Sequence, residues 1–181
     1  MIEATRLIET EKFWDDRGFF METYNCLRMS SFGVDVKFVQ DNFSQSDEIG
    51  TLRGLHFQNP PYAQAKLVRC VGGAIFDVAV DIRKGSPSFG KWVGHELSAE
   101  NGNQFYIPTG FAHGFMTLEP NTQVAYKCSE YYQPKAESSL NWNDPTINID
   151  WPLDCQPRLS VKDATAPFLD EFDSPFVWEN S

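Results

Sequence analysis

The chain has 181 residues, of which 41% are hydrophobic and 22% are charged, and this composition is ordinary for a soluble globular protein. That length predicts one domain over residues 1–181 with enough volume to bury a hydrophobic core. The formal net charge of −10 argues against nucleic acid or an anionic membrane surface as a partner.

Short β-prone segments separated by turn signals run along most of the chain. The turn signals are Asp15–Gly18, Asn59–Pro61, Gly72–Gly73, Gly85–Pro87, Asn101–Asn103 and Glu119–Asn121. Helices are predicted only over Cys26–Ser31 and in a segment that opens near Ser160. This pattern is typical of an all-β sandwich or barrel and not of alternating βα units. The acidic, aromatic tail from Asp170 to Ser181 is predicted to be a docked or frayed terminus.

Alternation with a period of two assigns side chains to the two faces of each strand. One face of the strand around His56 is predicted to carry Leu52, Gly54, His56 and Gln58, and the other Arg53, Leu55 and Phe57. The same rule groups Lys66 with Val68 and Cys70, and Tyr126 with Val124 and Cys128. A cation or a phenol among apolar neighbours costs free energy unless it lines a wet pocket or finds a partner. Lys66 and Tyr126 are therefore candidates for function.

Two of the three histidines lie in segments that resemble the inner wall of a β-barrel. His56 lies within Arg53–Gln58, and His113 follows a tight Pro-x-Gly turn within Pro108–Leu118. Histidine is the side chain best suited to titrate near neutral pH, so the two segments predict a pocket in which protons are transferred.

No targeting or membrane segment is visible in the sequence. The first residues show no signal-peptide pattern, and no apolar run approaches the roughly 20 residues that span a bilayer. Cys26, Cys70, Cys128 and Cys155 are scattered without a CxxC pair. We therefore expect a cytoplasmic protein with reduced thiols and neither disulfides nor a zinc site.

The histidine segments resemble the two motifs of the cupin superfamily. Gly102-x5-Pro108-x-Gly110-x2-His113-x3-Thr117 follows the second motif, with threonine where asparagine is usual. The first motif is degraded: His56 holds its first histidine position, but Gln58 replaces the second histidine and Tyr62–Ala63 replace the glutamate. A metal-binding cupin needs three or four ligands that converge on one ion, so we expect no metal.

From Phe13 to Leu169 the chain resembles more narrowly the dTDP-4-dehydrorhamnose 3,5-epimerase family. The matching segments are Arg17–Phe20, Phe38–Asn42, Arg53–Gln58, Gln64–Arg69, Asp77–Arg83, Gly85–Pro87, Leu97–Asn101, Ile107–Phe115, Trp142–Pro145 and Ser160-x-Lys162-Asp163. The resemblance implies an all-β fold, a cupin-type double-stranded β-helix (jelly roll) with a few short peripheral helices.

The resemblance also implies an activity, the cofactor-independent epimerisation of a dTDP-linked 4-keto-6-deoxy sugar. Carbons C3 and C5 of dTDP-4-dehydro-6-deoxy-D-glucose would be inverted to give dTDP-4-dehydro-L-rhamnose. A proton beside the C4 ketone is removed and a proton returns on the opposite face. This isomerisation needs a base, an acid and a cation or donor at the developing oxyanion.

Four residues match the catalytic positions of the family. His56 would be the base, Asp163 would orient its imidazole, Tyr126 would be the acid and Lys66 would stabilise the enolate oxygen. Each has a structural alternative: His56 as a satisfied core histidine, Asp163 in a helix-capping arrangement that begins at Ser160, Tyr126 as a packed tyrosine, and Lys66 as a lysine that snorkels from a strand edge. For Asp163 the two readings are compatible.

Nine further positions match residues that contact the substrate in the family. They are Arg17, Glu22, Gln40, Asn42, Arg53, His113, Tyr132, Glu137 and Lys162. Arg17, Arg53 and Lys162 would bind the diphosphate, Tyr132 would lie beside the sugar or the base, and His113 would assist near the sugar or tune the dyad. In the family the N-terminal strands cross to a neighbouring subunit. The resemblance therefore implies a homodimer in which Arg17 and Glu22 serve the partner's site.

Three alternatives remain open at the level of sequence. A close relative that inverts only C3, or isomerises the ketone, would share the same motifs. A non-catalytic sugar-binding cupin would lack the base or the acid, yet both are present. A metal-dependent oxygenase would need the ligands that the first motif lacks.

Overall fold

The computed structural model describes residues 2, 4–152 and 156–179. Within these residues lie twelve strands, two α-helices and one 3-10 helix. The strands are β1 Arg6–Ile8, β2 Phe13–Asp15, β3 Gly18–Phe20, β4 Gln40–Ser46, β5 Leu52–Gln58, β6 Lys66–Gly72, β7 Ala74–Asp81, β8 Trp92–Ser98, β9 Gln104–Ile107, β10 Phe111–Thr117, β11 Thr122–Cys128 and β12 Glu137–Ser139. The helices are α1 Cys26–Ser31, α2 Val161–Ala164 and the 3-10 helix Leu169–Glu171.

Ten of the strands form two five-stranded antiparallel sheets that pack face to face. The first sheet has the order β1-β9-β6-β11-β4, and the second has the order β12-β5-β10-β7-β8. Strands β2 and β3 form a separate two-stranded hairpin. The prediction of an all-β sandwich with two short helices, over Cys26–Ser31 and just after Ser160, is confirmed.

The central core lies between the two sheets. Val68 and Phe105 of the first sheet pack with Ala79 and Phe115 of the second, and all four are buried. Leu67 points to the opposite face of β6, where it belongs to a separate cluster that α1 covers through Met29. The alternation predicted for β6 is therefore confirmed, and it sends Lys66 towards the space between the sheets.

A second core covers the outer face of the second sheet. Leu55 and Phe57 belong to it, together with Leu140 from the long segment after β12. The C-terminal tail closes this core, since Phe176 is buried and lies 6.2 Å, centroid to centroid, from the ring of Phe57. The backbone N–H of Trp178 donates to the carbonyl of Lys84 at 2.9 Å. The described part of the tail is therefore docked and not frayed.

Strand β5 contains a bulge that changes which side chains face the cleft. His56 pairs with His113 and Arg53 pairs with Phe115, so three steps on β5 oppose two on β10. Gly54 has φ +142°, and a Cβ there would lie 2.5 Å from the Cα of Gly114. Arg53 and His56 consequently face the same side. The prediction that strict alternation separates them is wrong.

The remaining sequence expectations concern membranes and thiols. Within the described residues no helix is long and apolar enough to cross a membrane. Cys26, Cys70 and Cys128 are free cysteines, the first exposed and the other two buried. Cys155 lies outside the described residues.

Candidate active site

A cleft between the sheets brings the four predicted catalytic side chains together. Two adjoining cavities of about 300 and 340 Å³ share His56, Lys66, Tyr126 and Glu137 in their walls, and Asp163 lines the larger one. His56 projects from the second sheet, whereas Lys66 and Tyr126 project from the first. A ligand in this cleft would therefore have the imidazole on one side and the phenol on the other.

His56 and Asp163 form a hydrogen-bonded pair. The distance between Nε2 of His56 and Oδ1 of Asp163 is 2.5 Å, and the carboxylate is almost completely buried. Burial alone would raise the pKa of Asp163, but the hydrogen bond and the charge interaction with His56, with further bonds from Ser160 and the backbone of Gly54, bring that pKa below its usual value. Asp163 is therefore an ionised acceptor.

The position of Asp163 depends on the short helix α2. The side chain of Ser160 caps this helix and accepts a hydrogen bond from the backbone N–H of Asp163 at 3.1 Å. Capping fixes the first turn and holds the carboxylate in the direction of His56. The capping role and the histidine-orienting geometry therefore coexist.

Lys66 and Tyr126 are neighbours on the first sheet. Lys66 is 9% exposed, and Nζ donates to the carbonyl oxygen of His56 at 3.5 Å, so the alternative of a snorkelling lysine is wrong. Burial lowers the pKa of Lys66 and raises the pKa of Tyr126. Tyr126 is half-buried and therefore remains protonated near neutral pH.

Four polar side chains form a hydrogen-bonded wall around the smaller cavity, and a lysine extends it. Lys162 and Glu137 are 2.6 Å apart, and the hydroxyl of Tyr132 donates to Glu137 at 3.1 Å. The backbone N–H of Tyr132 donates to Gln40, whose side-chain amide donates to Asn42 at 3.0 Å. Burial would raise the pKa of Glu137, but the bonds from Lys162 and Tyr132 lower it. Five predicted substrate residues thus form one connected wall.

Cations outnumber the carboxylates of Glu137 and Asp163 in the wall of the larger cavity, although the chain as a whole is acidic. Arg53, Lys66 and Lys162 line it together. The guanidinium of Arg53 donates to Ser46 and to the carbonyl of Gln45, both at 3.2 Å, and it remains exposed at the opening. An anionic ligand such as a diphosphate would find charge-assisted donors here.

His113 lines the cleft from its floor. It lies directly opposite His56 in the β5–β10 pair and is 6% exposed. Its Nε2 lies 2.7 Å from Oδ1 of Asp77, which is fully buried. Burial lowers the pKa of His113, although the nearby Asp77 acts in the opposite direction.

Arg17 and Glu22 do not reach the cleft of their own chain. The Arg17 side chain is 90% exposed and pairs with Asp15 at 2.5 Å on the β2–β3 hairpin. Glu22 accepts a hydrogen bond from Asn25 at 3.3 Å. Neither residue lines the two cavities that contain His56.

Several cleft residues were not predicted. The cavity walls also contain Ser44, Phe57, Gln58, Gln64, Phe115, Cys128 and Ser160, and Asp77 lies outside them, bonded to His113. Alternation contained a signal for two of them, since Ser44 follows Asn42 by two positions and Cys128 follows Tyr126 by two. Asp77 had a signal too, because an acidic residue interrupts the apolar face of an otherwise buried strand.

The residues at the cupin metal positions have other partners. His56 and His113 each bond a carboxylate through Nε2. The side chain of Gln58 donates to the carbonyls of Tyr62 and Tyr131. In the part of the chain that the structure describes, no three His, Cys, Asp or Glu side chains converge to hold a metal ion.

Comparison with known proteins places these features in a family. A family model described as dTDP-4-dehydrorhamnose 3,5-epimerase matches residues 1–171. The chain belongs to this family. A dTDP-4-dehydrorhamnose 3,5-epimerase of Salmonella typhimurium is 54% identical over 166 residues, which cover 91% of this chain and 90% of the relative.

Solved structures of epimerases have the same fold. One is a Legionella pneumophila dTDP-6-deoxy-D-glucose-3,5-epimerase in complex with dTDP-4-keto-L-rhamnose. It is 48% identical in sequence with a TM-score of 0.93, and the match covers 98% of this chain and 96% of the Legionella chain. Another is a Streptomyces bikiniensis 3'-monoepimerase in complex with dTDP-quinovose. It is 38% identical with a TM-score of 0.87, and the match covers 93% of this chain and 85% of the Streptomyces chain. The predicted cupin-type jelly roll is confirmed by this likeness.

Proposed function

We propose that the protein epimerises C3 and C5 of dTDP-4-dehydro-6-deoxy-D-glucose to give dTDP-4-dehydro-L-rhamnose. The observation that carries the proposal is the arrangement of His56, paired with Asp163, on the opposite side of the cleft from Tyr126, with Lys66 between the sheets. Substrate and product are isomers of equal oxidation state, so proton transfers alone complete the reaction. The protein is accordingly an isomerase, and we propose that it uses neither cofactor nor metal.

His56 acts as the base. Nε2 of its imidazole bonds Asp163, so Nδ1 is the nitrogen that takes the proton from the carbon beside the C4 ketone. The C–H bond breaks, and its electron pair moves into an enolate whose negative charge resides on the C4 oxygen. The ionised Asp163 stabilises the imidazolium that forms.

Lys66 and Tyr126 complete the inversion. The ammonium of the buried Lys66 stabilises the enolate oxygen, and this stabilisation is large because the site is shielded from water. Tyr126 then donates its phenolic proton to the opposite face of the carbon, and a new C–H bond forms. His56 then releases its extra proton to solvent, and the phenolate of Tyr126 takes up a proton from solvent. Both side chains are then ready for the reaction at the second carbon.

The walls of the cleft bind the rest of the substrate. We assign the diphosphate to Arg53 and Lys162, because both cations line the larger cavity. Tyr132 and Glu137 close the smaller cavity and contact the sugar or the base, and Gln40 and Asn42 contribute amide groups to the same wall. His113 contacts the sugar from the floor.

A second subunit completes the site in this proposal. Arg17 and Glu22 lie away from the cleft of their own chain, on or beside the N-terminal hairpin, where they are free to reach a neighbouring subunit. We propose a homodimer in which the N-terminal strands are exchanged, each chain forming one epimerase domain over residues 1–181. We also propose a cytoplasmic location, with no nucleic acid or membrane as a partner.

Deuterium incorporation tests the proposed reaction. The protein is incubated with dTDP-4-keto-6-deoxyglucose in heavy water, and the label is followed by NMR. Deuterium at both C3 and C5 of the product is the expected result. If the sugar remains unlabelled while the nucleotide still binds, the protein is a binding module and the proposal is wrong.

The runner-up activity is epimerisation at C3 alone, or isomerisation of the ketone of a related dTDP-4-keto-6-deoxy sugar. The observation that favours it is the likeness to the 3'-monoepimerase, which covers 93% of this chain, against 98% for the Legionella double epimerase. Label at C3 without label at C5 would identify this activity.

A further inference from the structure

Asp77 is a buried carboxylate that the proposed reaction leaves without a role. It lies on β7 with its side chain completely buried between the sheets. One oxygen, Oδ1, lies 2.7 Å from Nε2 of His113, whereas Oδ2 has no hydrogen-bond partner among the described residues. A buried, unpartnered carboxylate oxygen costs free energy, so an apolar residue would suit this position better for folding alone.

Asp81, four residues later on the same strand, shows what a structural aspartate looks like in this fold. It too is completely buried, yet both of its oxygens are satisfied. Oδ1 accepts from the backbone and side chain of Arg83, and Oδ2 accepts from Arg83, Ser86 and Ser88. The contrast indicates that the role of Asp77 lies in its one bond to His113 and not in folding.

That bond connects Asp77 to the substrate cleft. His113 lies opposite His56 across the β5–β10 pair and lines the same cavity. Its Nε2 is directed at Asp77, and its Nδ1 bonds no other group in the described part of the chain. A carboxylate that accepts from one ring nitrogen of a histidine determines the state of the other nitrogen.

We propose that Asp77 is a positioning residue that fixes His113 as the neutral Nε2–H tautomer, so that the Nδ1 lone pair accepts a hydrogen bond from a sugar hydroxyl of the substrate. The inference rests on the proposed epimerase function. The neutral state agrees with the environment, because burial, with smaller contributions from the neighbouring Lys66 and His56, lowers the pKa of His113 and outweighs the opposing effect of Asp77. Asp77 thus does for His113 what Asp163 does for His56.

Histidine NMR of the unmodified protein tests the tautomer directly. The chain has only three histidines, so ¹⁵N-histidine signals can be assigned with the variants His95→Gln and His113→Gln. At neutral pH we expect His113 to carry its proton on Nε2, with an unprotonated Nδ1. An Nδ1–H tautomer or an imidazolium would overturn the inference, whatever the protein's activity.

The variant Asp77→Asn tests the consequence for the reaction. We expect kcat/KM to fall about 10- to 100-fold, the range seen when the outer hydrogen-bond partners of metal-binding histidines are removed. The midpoint of thermal unfolding should stay constant or rise, because a buried charge with an unpartnered oxygen disappears. In the background His113→Gln the same change should have little further effect, since the two residues act as a unit. A kcat/KM within about twofold of the unmodified protein would refute the role.

Asp81→Asn is the matched control on the same strand. It should lower the unfolding midpoint while kcat/KM of the folded protein stays within about twofold, because Asp81 bonds Arg83 and Ser86 and lines neither of the two cavities. If Asp77→Asn fails to fold, the NMR result on the unmodified protein still decides the question. If the unmodified protein epimerises no sugar, the proposed function fails, but the tautomer remains measurable.

Discussion

Burial, and for Asp163 a hydrogen-bond partner, sets the charge states of the cleft side chains. Tyr126 is kept protonated because burial raises its pKa, which suits a proton donor. Asp163 is kept ionised by its bond to His56, which suits an orienting acceptor. Lys66 is a buried cation whose pKa burial lowers, and it therefore costs stability in exchange for an electrostatic role.

Replacement of Tyr126 by phenylalanine should separate proton removal from proton return. We expect kcat for epimerisation to fall about 10²- to 10⁴-fold because the proposed acid is missing. Deuterium exchange into recovered substrate should persist, since His56 is intact. The ratio of exchange to inversion, measured by NMR in heavy water, checks this. Tyr106→Phe is the control, because Tyr106 is buried on the other face of the first sheet; equal losses in both variants would contradict the assignment.

Lys66→Met should change stability and activity in opposite directions. Loss of the ammonium should lower kcat about 10²- to 10³-fold, because the enolate loses the cation that we propose stabilises its oxygen. The free energy of unfolding should stay equal or increase, since an apolar chain of similar length replaces a buried cation. Paired kinetics and denaturant titrations measure the two effects. A variant with full activity would remove Lys66 from the oxyanion site.

At the scale of elements, local irregularities decide where the functional groups point. The bulge in β5 brings Arg53 to the same side as His56, and it exists because Gly54 and Gly114 allow two backbones to approach closely. The cap at Ser160 aims Asp163 at His56 from a helix of only four residues. A regular β5 strand would not place Arg53 in the cleft.

Gly54→Ala should disrupt the bulge. A Cβ there would lie 2.5 Å from the Cα of Gly114, and the residue has φ +142°. We expect a loss of roughly 2–5 kcal/mol in unfolding free energy. We also expect a large loss of activity, because the β5–β10 register that positions His56 would change. Gly85→Ala is the control: it has φ +81° but open space, so it should cost only about 1–2 kcal/mol without loss of kcat. Similar effects in both variants would mean that φ alone, and not close approach, matters at Gly54.

The turn after β7 predicts a dependence of stability on pH. Burial tends to raise the pKa of Asp81, but hydrogen bonds from Arg83, Ser86 and Ser88 bring it below the ordinary value of 3.8. A depressed folded-state pKa contributes stability above the unfolded pKa, and this contribution is lost as the pH falls through the folded value. Asp81→Asn should therefore cost about 3 kcal/mol at neutral pH and progressively less below about pH 4. Urea titrations of both proteins from pH 7 to pH 3 measure the difference; a cost that grows as the pH falls would contradict it.

At the scale of the whole molecule, the outer face of the second sheet is covered by its own chain, whereas the N-terminal hairpin is exposed. The second sheet is covered outside by the long segment after β12 and by the C-terminal tail, with Phe176 buried against Phe57. The hairpin β2–β3 instead exposes aromatic side chains, with Trp14 70% and Phe20 69% exposed. A hairpin that carries Arg17 and exposes aromatic side chains agrees with the proposed exchange between subunits.

Mixed dimers test whether Arg17 serves the partner's cleft. Arg17→Ala and His56→Ala chains are each expected to be nearly inactive as homodimers. Random mixing of the two makes half of the dimers mixed, and each mixed dimer then has one intact cleft. About one quarter of the normal activity should therefore return. No recovery after mixing and subunit exchange, with dimers verified by light scattering, would place Arg17 in its own chain's site or outside any site.

Much of this architecture follows from patterns that are local in the chain. Alternation placed Lys66 with Val68 and Tyr126 with Val124, and the structure keeps these groupings because an antiparallel strand repeats every two residues. The turn signals marked real strand ends, and the run of family motifs indicated the fold and the chemistry together. Even the double use of Asp163, as a first-turn residue and as the acceptor from His56, was compatible with the sequence.

Tertiary structure decided what depends on distant segments. Arg53 turns towards the cleft only because Gly54 meets Gly114 on another strand, and no rule of alternation contains that encounter. The proposed role of Asp77 depends on its contact with His113, which lies 36 residues away in the sequence. Arg17 lies on the exposed hairpin, away from the cleft of its own chain. The sequence by itself determined which side chains could do the chemistry, because residue type and periodicity are local. Only the packing of strands against each other determined which of these side chains meet. Strand register and close backbone approach depend on two segments at once, and neither segment alone predicts them.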